Sequence, residues 1–255
     1  MKLWLNGCIK EAEQARISPQ DRGFLLGDGV FETMAAEAGE VCELARHYAR
    51  LCAGAKLLRL PVLLSLSDLA VAVHDVLAAN DLSRAALRLT LTRGVGPRGL
   101  LPASPVSPTM LLTASAMPEP SGPARLMICS LRRDERSPLS QIKSLNYLPN
   151  VLARLEAAEQ GADDALLLNY AGRVAETSAS SLFVLQQGKW VTPLVSEGAL
   201  PGTCRAVLLE TGRIDEAQLS VTDLMQAQAL CLGNALSLRP VLSLNDHKYP
   251  QLITP

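Results

Sequence analysis

The sequence lacks the features that nucleic-acid-binding, membrane-surface and metal-dependent proteins require. Its 24 basic side chains are balanced by 25 acidic ones, so the chain has no bulk electric field to attract a polyanion or an anionic bilayer. Only three histidines are present, and the six cysteines form neither a C-x-x-C pair nor a His/Cys cluster at zinc-binding spacing. We therefore expect no metal site and no contact with nucleic acid or membrane. The expected partners are small molecules or a second copy of the chain.

Long apolar runs are also missing. No stretch approaches the length of a membrane span, and the opening residues MKLWLNGCIK have too little apolar content for the core of a signal peptide. Because nothing indicates secretion, the cysteines are expected to be reduced thiols. These absences predict a cytoplasmic protein.

The composition that remains is that of a soluble globular protein. With 255 residues, of which 48% are hydrophobic and 19% charged, the chain can build two modest cores. The segment MPEPSGP, residues 117–123, is rich in proline and glycine and is the best linker candidate. We therefore predict an α+β fold with a small N-terminal domain, 1–116, and a larger C-terminal domain, 124–255. A crevice between two such domains would be a natural cofactor site.

Local patterns support this mixture of strands and helices. The Asn6-Gly7 pair between short apolar stretches predicts a β-hairpin, and residues 85–92 alternate apolar and polar side chains as a half-buried strand does. Helical spacing predicts helices near 46–58, 67–79 and 203–211.

The stretch 141–161 combines a lysine with a well-patterned helix. Pro149 stands where a first helical turn tolerates proline, and Gly161 follows the last turn. Apolar residues recur at helical spacing and are expected to form a buried face: Leu148, Val151, Leu152, Leu155 and Ala158. Lys143 lies just ahead of this helix, between Ile142 and Leu145. Such surroundings lower the pKa of a lysine, which suits a nucleophilic amine, whereas the plainer alternative is a surface lysine in a loop.

The residues IKSLNYLPNVLARLEAAEQGADDALLLNYAGRVAETSASSLFVL resemble the core of the class IV aminotransferase family. This family comprises the fold-type IV pyridoxal-phosphate enzymes, among them aminodeoxychorismate lyase and the D-amino acid and branched-chain aminotransferases. The similarity runs from WLNG near the N-terminus to NALSLRPV near the C-terminus. It implies the two-domain architecture of D-amino acid aminotransferase, pyridoxal 5′-phosphate as cofactor, and a homodimer.

The resemblance also assigns cofactor-binding residues. Lys143 matches the lysine that bonds to the cofactor, and Glu176 matches the glutamate at the pyridine nitrogen, although glutamates at strand ends are usually only exposed side chains. Arg50, in ELARHYARL, matches an arginine that reaches the phosphate. Thr203 and Cys204 stand at the family's other phosphate contacts, just after Gly202 and at the start of a predicted helix. Aminotransferases commonly have threonine where this chain has Cys204.

Three further residues bear on the reaction. Arg93 and Arg98, in TRGVGPRGLLP, resemble the arginine loop of aminodeoxychorismate lyases, and a pair of arginines suits a substrate with two carboxylates. Asn234 is of the lyase type, and all three are expected to bind substrate. Phe31 stands where D-amino acid aminotransferases have tyrosine.

These matches imply a lyase that converts 4-amino-4-deoxychorismate to 4-aminobenzoate and pyruvate in folate synthesis. Lys143 would act in succession as nucleophile, base and acid. The first alternative is an aminotransferase acting on D-amino acids or branched-chain amino acids with the same cofactor ligands. The second is a non-catalytic protein that keeps the fold, and it remains open although the presence of Lys143 and Glu176 opposes it.

Overall fold

A computed structural model describes all 255 residues, which divide into two compact units. Unit 1 contains Met1–Pro118 and Ile142–Asn146, and unit 2 contains Glu119–Gln141 and Tyr147–Pro255. Each unit has its own sheet and its own helices, which confirms the predicted α+β class. None of the helices combines the length and the apolar character needed to cross a bilayer.

Unit 1 is built on a six-stranded sheet. Its strands are β1 (Lys2–Leu5), β2 (Cys8–Glu11), β3 (Gly29–Glu37), β4 (Glu40–Val41), β5 (Ala85–Thr92) and β6 (Thr109–Ala116), in the order β2-β1-β6-β5-β3-β4. All five pairings are antiparallel. The predicted hairpin joins β1 to β2, with Asn6 and Gly7 both at positive φ, as a tight hairpin turn requires.

Three helices accompany this sheet: α1 (Arg22–Leu26), α2 (Leu44–Leu57) and α3 (Leu66–Ala79). Helix α3 begins at a capping box, in which Ser65 accepts from the Asp68 N–H and Asp68 accepts in return from the Ser65 N–H. Apolar residues of α2 and α3 share one core with the alternate leucines of β5, Leu87, Leu89 and Leu91. The alternation of β5 therefore buries one face, as predicted.

The short segment Ile142–Asn146 packs with unit 1, which differs from the expected division that placed Lys143 in the C-terminal domain. The reason lies in β3, because β4 pairs only with Ala36 and Glu37 and leaves the first half of that edge open. The Phe31 N–H donates to the Lys143 carbonyl at 2.9 Å, and the Leu145 N–H donates to the Gly29 carbonyl at 3.0 Å. The lysine segment thus satisfies backbone groups that the sheet would otherwise leave unpaired.

Unit 2 is built on a nine-stranded sheet. Its strands are β7 (Ala124–Arg133), β8 (Asp164–Asn169), β9 (Val174–Thr177), β10 (Ser181–Gln186), β11 (Lys189–Pro193), β12 (Asp215–Ala217), β13 (Ala229–Gly233), β14 (Leu238–Leu244) and β15 (His247–Lys248). The order is β12-β11-β10-β13-β14-β7-β8-β9, and β15 pairs with β14. Every residue of β8 is buried, which places this strand inside the unit.

The helices of unit 2 are α4 (Leu148–Glu159), α5 (Thr203–Glu210) and α6 (Val221–Met225), with single 3-10 turns at Pro138–Gln141 and Val195–Glu197. The boundary between the units, Pro118/Glu119, falls inside residues 117–123, which contain no helix or strand.

Helix α4 presents the opposite face from the one predicted. Its buried residues are Asn150, Ala153 and Ala157, of which the two alanines pack into a core with Met127 and Leu167 of the sheet. The leucines and valine that were expected to be buried are exposed, at 73% for Leu148, 47% for Val151, 53% for Leu152 and 54% for Leu155. Small side chains let the helix approach the sheet closely, so the larger apolar residues are left on the outer face.

We predict that Gly94, which opens the loop after β5, tolerates no side chain. Its φ is +77°, and a Cβ would lie 1.8 Å from the Ser107 carbonyl oxygen. Gly94→Ala is expected to lower the free energy of unfolding in urea by roughly 3 kcal/mol or more. The control is Gly39→Ala, at φ +84° with open space around the Cβ, which should cost only about 1 kcal/mol. Equal losses for the two variants would contradict the clash.

Candidate functional site

Lys143 lies beside the ring of Phe31, which also contacts the guanidinium of Arg88. The Lys143 Nζ is 4.4 Å from the centroid of the Phe31 ring, and the Arg88 Cζ is 3.8 Å from the same centroid. Both distances are within the range of a cation–π contact. The site in unit 1 therefore combines an amine with a guanidinium, both on one ring.

Sequence reasoning did not single out Arg88 as a site residue. Arg88 lies on the polar side of β5, and Phe31 is diagonal to it because Phe31 pairs with Thr90 on the neighbouring strand. The alternation of β5 gave the available signal, since it separated Arg88 from the buried leucines. Only the strand register reveals that Phe31 is its neighbour.

Arg50 is held by a buried carboxylate on the other face of β3. Its Nε and Nη2 donate to the two oxygens of Glu32 at 2.8 and 2.6 Å, and the His47 Nδ1 is 2.7 Å from Oε2 of the same residue. Because a carboxylate only accepts, the proton of this last bond lies on His47. Glu32 is 15 residues from His47 in sequence, so spacing along the chain does not reveal this pair. Glu32 fixes the orientation of Arg50, whose predicted phosphate contact stays a prediction.

Burial by itself raises the pKa of Glu32, but the hydrogen bonds from Arg50 and His47 outweigh it, so the pKa lies below its ordinary value. The side chain is 1% exposed. The cluster therefore contains a carboxylate that stays ionised in the interior only because two donors surround it.

Arg93 is occupied by the fold. It donates to both oxygens of Asp28 and to the carbonyls of Leu58 and Arg59, so four of the five N–H donors of its guanidinium are used. This geometry favours a structural role over the predicted contact with substrate. Arg98, in contrast, is exposed in the loop that follows β5, and its predicted contact with substrate stays a prediction.

In unit 2, Glu176 is buried near the end of β9 and is held from two sides. The Arg133 Nη2 lies 3.0 Å from its Oε1, and the Leu200 N–H donates to its Oε2 at 2.9 Å. Arg133 is itself anchored by the carbonyls of Gly198 and Ser140. Glu176 is thus an oriented carboxylate with its charge compensated, rather than the exposed strand-end residue of the plainer alternative.

The start of α5 has the geometry of an anion site. Gly202 precedes the helix, and no side chain caps the first N–H groups. A Cβ at Gly202 would lie 2.7 Å from the Ser181 Oγ, so the absence of a side chain keeps this space open. Thr203 is buried at the first helical position. These features fit a phosphate bound mainly by backbone N–H groups.

Cys204 turns its side chain away from such an anion. The thiol packs against the apolar cluster of Phe183, Leu208 and Cys231, and burial raises its pKa. This packing does not favour a contact between the Cys204 thiol and phosphate, although the resemblance places Cys204 at a phosphate contact. Its backbone N–H still belongs to the first turn of α5.

Asn234 stabilises a turn. Its Nδ2 donates to the Ser180 Oγ at 3.1 Å, and its Oδ1 accepts from the N–H groups of Leu236 and Ser237. These bonds make Asn234 a residue that fixes the connection from β13 to β14. They use one of the two N–H donors of its Nδ2, so the predicted substrate contact stays a prediction.

Comparison with known proteins places these residues in a family context. The family described as amino-transferase class IV matches residues 29–244. A protein of Methanocaldococcus jannaschii, provisionally named a branched-chain-amino-acid aminotransferase, is 36% identical over 96% of this chain and 88% of its own length. A D-alanine aminotransferase of Listeria monocytogenes is 28% identical over 94% of this chain and 86% of its own length.

A solved structure is similar over most of its length. The 4-amino-4-deoxychorismate lyase of Pseudomonas aeruginosa is 32% identical, covers 99% of this chain and 94% of its own chain, and superposes with a TM-score of 0.86. The predicted architecture is therefore confirmed. The relatives include both lyases and aminotransferases, so similarity alone does not decide between the two reactions.

The lowered pKa of Glu32 predicts a pH-dependent stability. Since the folded-state pKa lies below the ordinary value of 4.5, the unfolded chain binds more protons, and the stabilisation is complete above pH 4.5 but lost as the pH falls through the folded-state pKa. Glu32→Gln should flatten this fall and cost roughly 3 kcal/mol at neutral pH, because Arg50 loses its buried partner. Urea unfolding between about pH 3 and 7 measures both effects.

The control for this prediction is Glu37→Gln on the same strand, which loses only an exposed pair with Arg84. An unchanged pH profile in Glu32→Gln, or an equal change in Glu37→Gln, would contradict the assignment.

Proposed function

Because the chain belongs to the class IV aminotransferase family, we propose that it is a pyridoxal-phosphate-dependent lyase that converts 4-amino-4-deoxychorismate to 4-aminobenzoate and pyruvate. Pyridoxal 5′-phosphate is the cofactor, as predicted from sequence. The product 4-aminobenzoate would serve folate synthesis.

The chain offers residues that would hold this cofactor. Lys143 would bond to its aldehyde carbon, and the oriented carboxylate of Glu176 would lie at the pyridine nitrogen. The open start of α5, with Thr203, and the guanidinium of Arg50 would hold the phosphate. When bound, the cofactor supplies a ring that accepts electrons from the substrate.

The observation that carries the proposal is the placement of Arg88 and Lys143 on the same ring of Phe31. A carboxylate bound by Arg88 would hold the substrate's reacting carbon within reach of the lysine amine. The substrate has two carboxylates, and Arg98 is the candidate for the second. Arg88 thereby replaces Arg93, which the sequence had suggested, as the candidate that binds a substrate carboxylate.

Lys143 would perform the proton transfers. Its amine would remove the proton from the substrate's ring carbon that bears the nitrogen. The substrate's ring would become aromatic as the C–O bond to the enolpyruvyl group breaks. The ammonium so formed would return a proton to the departing enolpyruvate, which becomes pyruvate. Phe31 contributes an apolar face that keeps water from this side of the lysine.

Transamination is the second candidate. It is favoured by the aminotransferase names of the relatives from Methanocaldococcus and Listeria, with substrates of the branched-chain or D-amino acid class. The same Lys143 would then return the proton to a different carbon, and a keto acid would be needed to complete the cycle. The non-catalytic alternative is opposed by the presence of both Lys143 and Glu176.

We predict that the cofactor-loaded protein forms fluorescent 4-aminobenzoate from 4-amino-4-deoxychorismate without any keto acid. Lys143→Ala should abolish this activity by at least about 10³-fold, because it removes nucleophile and base together. The control is Lys189→Ala, at the exposed first residue of β11. No product from the natural chain, together with amino-group transfer from D- or L-amino acids to keto acids, would replace the lyase proposal by the aminotransferase.

We also propose a homodimer, supported by the outer face of α4. The exposed residues Leu148, Val151, Leu152 and Leu155 follow one another at helical spacing and form a contiguous apolar stripe. Stripes of this kind commonly mark interfaces, and the same helix from a second copy offers a complementary apolar surface about a twofold axis. The near-zero net charge does not oppose self-association.

The double variant Leu152→Glu/Leu155→Glu is expected to shift the protein from a dimer to its monomer mass of 27.3 kDa, because it buries two carboxylates in the stripe. Light scattering after size-exclusion chromatography measures the mass. The control is Leu63→Glu, at an exposed leucine of unit 1 that lies outside the stripe. A dimer that survives the double substitution would exclude α4 as the interface.

A further inference from the structure

The loop after β5 is fastened to a buried arginine that the proposed reaction does not use. Arg22, at the first position of α1, is 4% exposed. Its Nη1 donates to the Gly99 carbonyl and its Nη2 to the Leu100 carbonyl, both at 2.8 Å. Its Nε donates to Asp28 at 2.9 Å. One guanidinium therefore holds the end of the loop, at Gly99 and Leu100, against the start of α1.

The near side of the loop is fastened to the same place. The Arg22 N–H donates to the Gly94 carbonyl at 2.8 Å, and Asp21 forms an antiparallel bridge with Val95. A Cβ at Gly96 would lie 2.8 Å from the Arg22 Cδ, so the loop packs directly on the aliphatic stem of the arginine. Arg98 is the charged residue between these two attachments, and it is exposed.

Arg22 and its hydrogen bonds to the carbonyls of Gly99 and Leu100 form a clamp on the loop, and Asp28 orients this clamp. It accepts from both Arg22 and Arg93, and although burial raises its pKa, the two guanidinium groups outweigh this and hold the pKa below the ordinary value. With Nε fixed by Asp28, the planar fork of Arg22 can aim its remaining donors only at the loop carbonyls. The loop position is thus set by a rigid ion cluster rather than by its own exposed residues.

We propose that Arg22 is a positioning residue for substrate recognition, which holds loop 94–101 so that Arg98 is presented to a substrate carboxylate. This inference rests on the proposed function. A loop that is already ordered costs no ordering entropy when the substrate binds, so the clamp lowers KM through Arg98. A purely structural role for Arg22 would instead change stability and leave KM unaltered.

The test compares Arg22→Ala and Arg22→Lys in the cofactor-loaded enzyme. Arg22→Ala is expected to raise KM for the carboxylate substrate about tenfold while kcat changes by less than about twofold, because binding rather than chemistry is affected. Arg22→Lys keeps the charge but loses the planar guanidinium, and its KM should lie between those of the natural chain and Arg22→Ala. The control is Arg173→Ala, which removes a pair with buried Glu197 in unit 2 and should lower stability without raising KM.

A double-mutant cycle identifies the route of the effect. In an Arg98→Ala background, Arg22→Ala should add less than about twofold to KM, because neighbours acting through one contact are not additive. Independent, multiplying effects of the two substitutions would overturn the proposal. So would an unchanged KM in Arg22→Ala.

A readout without catalysis separates this inference from the proposed function. Trypsin cleavage after Arg98, followed by mass spectrometry, should be about tenfold faster in Arg22→Ala than in the natural chain, because cleavage requires local opening of the loop. Unchanged cleavage would overturn the clamp itself, whatever reaction the enzyme catalyses. Faster cleavage in a protein that lacks both lyase and aminotransferase activity would uphold the clamp and reject the function.

Discussion

The site in unit 1 depends on the backbone hydrogen bonds that join the lysine segment to β3. The Phe31 N–H and the Gly29 carbonyl are paired with Lys143 and Leu145, so the lysine is fixed to a strand whose neighbours also bear charged side chains. Strand alternation then sends Phe31 toward Lys143 and Arg88, and Glu32 toward Arg50 and the core. One strand thereby organises both faces of the site.

Carboxylates paired with arginine recur in both units, and all of them are buried except Asp28, which is half-buried. Glu32 holds Arg50, Asp28 holds Arg22 and Arg93, and Glu176 is held by Arg133. Each pair avoids the cost of an uncompensated buried charge, and each fixes the direction of a planar guanidinium or of a carboxylate. This arrangement explains how a chain with few aromatic residues and few histidines can build an oriented polar site.

Sequence patterns predicted the elements well where local chemistry decides. The Asn6-Gly7 turn, the alternation of β5, and the starts of α3 and α5 follow from residues within a few positions of one another. Helix α4 was found, but its buried face was predicted wrongly. Periodicity identifies an apolar stripe without saying whether the sheet or another surface covers it, and here Ala153 and Ala157 meet the sheet.

The sequence by itself determined the family and the cofactor, and it identified Lys143 and Glu176 as candidates for the chemistry. Only the tertiary structure distinguished the roles of the arginines. Arg93 donates to Asp28 and to backbone carbonyls, and Arg88 contacts the same Phe31 ring as the lysine. Arg22 holds the loop that contains Arg98. The physical reason is that an arginine's role depends on which acceptors surround its guanidinium. Those acceptors come from strands and loops that are remote in sequence.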